Sequence, residues 1–133
     1  ARQRQQMLEL LELELEPKFG EQGLGLLPYL GELTGVTDGY EWLKVLKRET
    51  EWEAVRSWWF DRRSALVAEE RGTQWLGVAL RLCFPSAEGA AIDRAKARLL
   101  APSPVNWEGV AEQLRSADSI ENCSPQPQTP DSN

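Results

Sequence analysis

Histidine is missing from the whole chain. Its absence removes the usual general base at neutral pH, the usual zinc ligand and every Ser-His or Cys-His dyad. Acidic pairs remain, at Glu49 and Glu53, Glu69 and Glu70, and Glu108 and Glu112. Two carboxylates one helical turn apart can hold a metal, but di-metal bundles also draw histidine from a Glu-x-x-His pair. An all-oxygen magnesium or calcium site would need an acidic loop of suitable spacing, and no loop here has one. The pairs read as solvated faces, with no metal, no cofactor and no catalytic residue assigned. Gly20-Glu-Gln-Gly23-Leu-Gly25 looks superficially like a phosphate loop. It has its glycines in the wrong order, no apolar strand before it and no Lys-Ser/Thr after it, so phosphate binding is not expected.

Two cysteines lie forty residues apart, Cys83 in the apolar run 78–84 and Cys123 near the end. Cys83 is expected as a buried thiol and Cys123 as an incidental exposed one. Two cysteines do not make a disulfide scaffold in a chain of this size.

Tryptophan is the most unusual ingredient, with five of the six between positions 42 and 75. In Trp58-Trp-Phe-Asp-Arg-Arg63, Arg62 follows Trp58 by four residues and Arg63 follows Trp59 by four. On a helix each guanidinium can lie over an indole. Such a face can stack bases or dock a protein. The alternative is that the indoles fill the core while the arginines snorkel outward. A second candidate surface is the leucine stripe Leu8, Leu11 and Leu15 near the N-terminus. It either packs on its own domain or serves self-association or tethering. The candidate interaction residues are therefore Leu8, Leu11, Leu15, Trp58, Trp59, Arg62 and Arg63.

The elements that must position these residues are helical. Met7, Leu8, Leu11 and Leu15 recur at helical spacing with Glu9, Glu12 and Glu16 opposite. The alternation Leu11-Glu-Leu-Glu-Leu-Glu16 also suits a strand, but good helix formers without β-branching favour a helix, ended by Pro17 and Gly20. Six of the ten glycines fall in 20–39, marking a connector with a short helix over Pro28–Leu33. Asp38 is expected to cap a helix showing Tyr40, Trp42, Leu43 and Leu46 to the core. Thr50-Glu-Trp-Glu53 reads as a capping box that starts a new helix at 51, closed by Arg71-Gly72. Thr73 then opens an apolar helix over Trp75–Phe84, with a strand as the alternative for so short a run. Ser86 should cap a helix that Pro102 stops, and Asn106 a last one from Trp107 to Arg115.

The 133 residues suit one domain, and 41% apolar with 27% charged residues excludes a wholly disordered chain. The net charge of −6 is uneven: −4 over 1–38, +1 over 39–116 and −3 over 117–133. Phosphate backbones repel such a chain, so nucleic acid is not an expected partner. No stretch is long and apolar enough for a membrane span, and the start lacks a signal peptide's apolar core, which makes a cytoplasmic-type compartment the default.

The expectation is an all-α fold, a small irregular bundle of five or six short helices with a disordered C-terminal tail. Its parts are an N-terminal amphipathic helix (1–19), a Gly-rich connector (20–38), a helical core (39–116) and an acidic tail (117–133). The leading function is a non-catalytic protein-interaction or regulatory module, acting through the N-terminal helix, by which it binds another protein or itself, or through an exposed part of the Trp-rich helix. The alternative is a nucleic-acid-associated regulator using the Trp/Arg face. No stretch assigns the chain to a family.

Overall fold

The α-helical spacing read from the sequence is realised throughout the computed structural model, which describes residues 2–35 and 37–125 and contains no strand among them. The fold is all-α. The chain divides into two compact units after Ser86. That boundary falls inside the span 39–116, and the N-terminal helix belongs to the first unit.

The first unit holds α1 (Arg2–Leu24), α2 (Leu27–Leu30), α3 (Asp38–Arg48), α4 (Trp52–Asp61), α5 (Arg63–Ala68) and α6 (Gly72–Cys83). Helix α6 is its centre, packing against α2, α4 and α5 with every residue from Trp75 to Leu82 buried. A run apolar nearly all round can only be an interior element, and backbone bonding within a helix lets it be buried on all sides. The strand alternative is thereby settled in favour of the helix.

Helix α1 lies on α3 and α2 and buries Leu11 and Leu15 completely. Pro17 does not end it; the helix continues past the proline and breaks at Gly20, whose φ of 59° is the left-handed conformation glycine adopts freely. Lys18 reaches across to the end of α3, where its ammonium donates to the carbonyls of Leu46 and, at 3.2 Å, Glu49. A cation satisfying the last carbonyls of a neighbouring helix complements that helix's dipole. The helices approach closely where Gly39 meets Met7, since a Cβ on Gly39 would lie 2.4 Å from Met7 Cγ.

Tertiary contacts override several local signals. Asp38 is not a cap: it is the first residue of α3, and its carboxylate is taken by the Gly35 N–H at 2.9 Å and by Arg71. Tyr40 is exposed rather than in the core, while Val45 is buried with Trp42 and Leu46. The helix break near 50 occurs, but the capping box does not form. Glu49 and Glu51 are both extended, Glu51 occupies the cap position without a side-chain bond, and Thr50 lies one residue outside. This start places the Trp52 indole 2.9 Å from the Leu82 carbonyl and edge-on to Phe19 at 5.2 Å, contacts worth more than one cap. Thr50→Ala is therefore expected to change the unfolding free energy by less than about 0.5 kcal/mol. Urea denaturation checks this, and a loss near 1 kcal/mol would restore Thr50 as a cap.

The stretch 51–71 is two helices meeting at Arg62. Its end is made by Glu70, not Gly72. Glu70 takes φ 61°, with Arg71 N–H bonded to the Leu66 carbonyl and Glu70 N–H to that of Val67. This is the Schellman pattern with a non-glycine residue in the left-handed position. Gly72 instead begins α6, so Thr73 is inside that helix.

The second unit holds α7 (Gly89–Leu100), α8 (Trp107–Ser116) and a 3-10 turn, Ile120–Asn122. Glu88, not Ser86, occupies the cap position of α7, and the helix stops just ahead of Pro102. Asn106 caps α8 as its position suggested, accepting from the Gly109 N–H at 3.2 Å. The start of the acidic segment departs from its composition. Ile120 and Cys123 are buried, and the Arg98 guanidinium donates to their carbonyls at 2.9 and 3.0 Å. Residues 126–133, the remainder of the expected disordered tail, lie outside the described residues.

Candidate functional site

The structure disperses the sequence's chemically capable side chains. Glu49 is held by Arg48 at 2.9 Å, Glu53 contacts Arg56, and Glu69 binds Arg71 at 2.7 Å. Each of these three carboxylates is engaged by a nearby arginine. No group of three or more Cys, Asp or Glu side chains is arranged to hold a metal ion among the described residues. Cys83 is half-buried, whereas Cys123 is fully buried, reversing the expected order. Burial pushes the Cys123 thiol up to about 11, against a smaller lowering by Arg98, so it stays protonated and unreactive at neutral pH.

The Trp-Arg segment mostly serves packing. Trp59 is 1% exposed and sealed, and Trp58 is half-buried. Trp42, Trp58 and Trp59 form one cluster with ring centroids 5.1 to 5.8 Å apart. Arg62 lies over Trp58 at 5.3 Å, the pairing that the four-residue spacing anticipates. Trp59 and Trp75 exchange bonds, each indole N–H donating to the other's backbone carbonyl at 3.0 and 2.9 Å. Trp59 is thus a strut between α4 and α6, not a docking residue. Arg63 is partly exposed on α5.

The N-terminal helix is different. Leu11 and Leu15 face inward at 2% and 0% exposure and Leu8 is half-buried, so the stripe read from the sequence is the core face. The three large exposed apolar side chains of the described chain are Leu10 (47%), Leu13 (70%) and Tyr40 (59%). Beside them opens a groove of about 600 Å³. Its apolar walls are Met7, Leu8 and Leu10 from α1, Leu30 at the end of α2, Leu33 just beyond it, and Tyr40 from α3. Gln3, Arg4, Thr34 and Asp38 add polar groups at its margin, and Arg4 also donates to the Gly31 carbonyl at 2.7 Å.

The chain matches no family model, and no curated protein and no solved structure is similar to it.

A polar network stiffens one end of the groove. The Arg71 guanidinium spans Asp38 and Glu69, and Gln74 accepts from the Thr34 N–H at 3.1 Å while donating to Thr34 Oγ at 2.9 Å. Burial works to lower the Arg71 pKa, but hydrogen bonding to Glu69 and the charge of Asp38 outweigh it and the pKa is raised, keeping the guanidinium charged. These bonds tie Thr34 and Asp38 to the start of α6 at one end of the groove. Leu10 and Leu13 were missed from sequence because two leucine arcs coexist on α1, and periodicity alone does not say which arc finds a neighbour; Tyr40, on α3, was expected in the core. No helix of the described residues is long and apolar enough to cross a membrane.

Proposed function

We propose that this chain is a non-catalytic helical protein-interaction or regulatory module, an adaptor that docks a partner protein on the outer face of α1 and the groove beside it. The observation that carries the reading is the concentration of exposed large apolar side chains at one place, with Leu10 and Tyr40 both lining the groove. Scattered exposed leucines need no explanation, but an apolar patch next to a concave surface is where partners bind. The absence of histidine supports a non-catalytic role. Cysteines in no disulfide fit a cytoplasmic-type compartment. Nucleic-acid binding ranks lower, because the net charge is −6, Trp59 is sealed and Arg62 already lies on Trp58.

The test is affinity capture with the full chain, comparing wild type with the Leu10→Ser/Leu13→Ser double variant. Both leucines are exposed, so the variant should fold as the wild type does by circular dichroism. A defined set of proteins retained by wild type and lost from the variant is expected. An identical set for both chains would remove the α1 face from the reading.

A further inference from the structure

The outer stripe of α1 has a register. Gln3, Gln6, Leu10, Leu13 and Pro17 follow one another at alternating spacings of three and four, the a and d positions of a heptad, and all five are exposed. Glu9 and Glu16 then occupy the flanking g positions and Glu14 an e position. Glu14 is engaged by Lys47 at 2.9 Å, and nearby Lys44 by Glu41 at 3.6 Å. Glu9, Glu12 and Glu16 are exposed and have no cationic partner among the described residues. The surface therefore offers two leucines, an adjoining groove, and an unneutralised row of carboxylates along one side.

This pattern discriminates between occupants. A second copy laid antiparallel in register would set Glu9 against Glu16 twice over, and one laid parallel would leave Glu9 and Glu16 without a cation opposite, since Lys47 already engages Glu14. Like charges at these positions oppose pairing. A helix with apolar a and d residues and lysine or arginine beside them meets the same leucines and neutralises the same carboxylates. We infer that the α1 face takes a basic amphipathic helix of another protein in preference to a second copy of this chain, an inference that rests on the interaction-module reading above.

The probe is a synthetic, fluorescently labelled helix of about three heptads with Leu at a and d and Lys at e and g. Its twin carries Glu at e and g. Binding to the full chain is read by anisotropy. The Lys peptide is expected to bind and the Glu twin to bind at least about tenfold more weakly. Leu10→Ser/Leu13→Ser should weaken the Lys peptide by roughly tenfold or more, from lost apolar burial. Glu9→Gln/Glu16→Gln should weaken it by about three- to tenfold, with the difference shrinking at high salt.

Equal binding of the two peptides, or no effect of Glu9→Gln/Glu16→Gln, would overturn the basic partner. So would Lys-peptide binding that ignores the leucine variant, which would be charge attraction without docking. Sedimentation that finds wild type dimeric and the leucine variant monomeric would also overturn it, in favour of a second copy. If neither peptide binds the wild type, the proposed occupant is wrong. The capture experiment then still decides separately whether the face docks a protein at all.

Discussion

Trp75→Ala is expected to lower the unfolding free energy by about 3–5 kcal/mol, the range for deleting a fully buried aromatic side chain. Trp75 is 0% exposed, sits edge-on to Phe60 at 5.3 Å and donates to the Trp59 carbonyl. Most of the cost is the cavity. The Trp59 carbonyl would still accept from the Arg62 N–H at 3.1 Å, so it would not be orphaned. Trp75→Phe separates the two contributions: it keeps a ring in the site, loses the N–H, and should cost about 1–2 kcal/mol. Against a total stability of about 5–15 kcal/mol, the alanine variant should unfold at a visibly lower urea concentration. A loss below about 1.5 kcal/mol for Trp75→Ala would mean that α6 is not the packed centre of the first unit.

Ending the chain after Asp118 is expected to lower the stability of the second unit by about 2–4 kcal/mol, although only the fifteen residues 119–133, of acidic, proline-rich composition, are removed. Ile120 and Cys123 leave the core, and Arg98 loses both carbonyls that hold its guanidinium beside α7. Arg98→Ala in the full chain should reproduce about 1–2 kcal/mol of that loss. Thermal unfolding followed by circular dichroism reads both. If truncation leaves the transition unmoved, residues 119–123 do not pack. The same result would return the whole segment from 117 to the solvated-tail reading that its composition invites.

The α1 surface shows how far composition and spacing carry. Helical periodicity on α1, the central apolar helix α6 and the Asn106 cap were legible because each depends on residues within one or two turns of one another. The spacing of Trp58 and Arg62 was legible for the same reason. Local rules failed where a partner distant in sequence competed for the same group. Asp38 could have capped α3, but Arg71, thirty-three residues on, offers its carboxylate a charged donor. Thr50 could have capped α4, but starting one residue later brings Trp52 to Leu82 and Phe19. Cys123 sits in a segment that reads as solvated, yet one arginine on α7 collects two of that segment's carbonyls and draws it in.

The candidate site belongs to this second class. Helix α1 carries two leucine arcs, Leu8, Leu11 and Leu15 on one and Leu10 and Leu13 on the other, and both satisfy helical spacing. The amino-acid sequence by itself determined that α1 is a helix, that the fold is all-α, and that no histidine chemistry operates. Only the tertiary structure decided which arc is buried, because α3 and α2 cover one side of α1, and Gly39 allows close contact at Met7. Leu10 and Leu13 remain outside, because the packing that buries the other arc joins segments far apart in the chain.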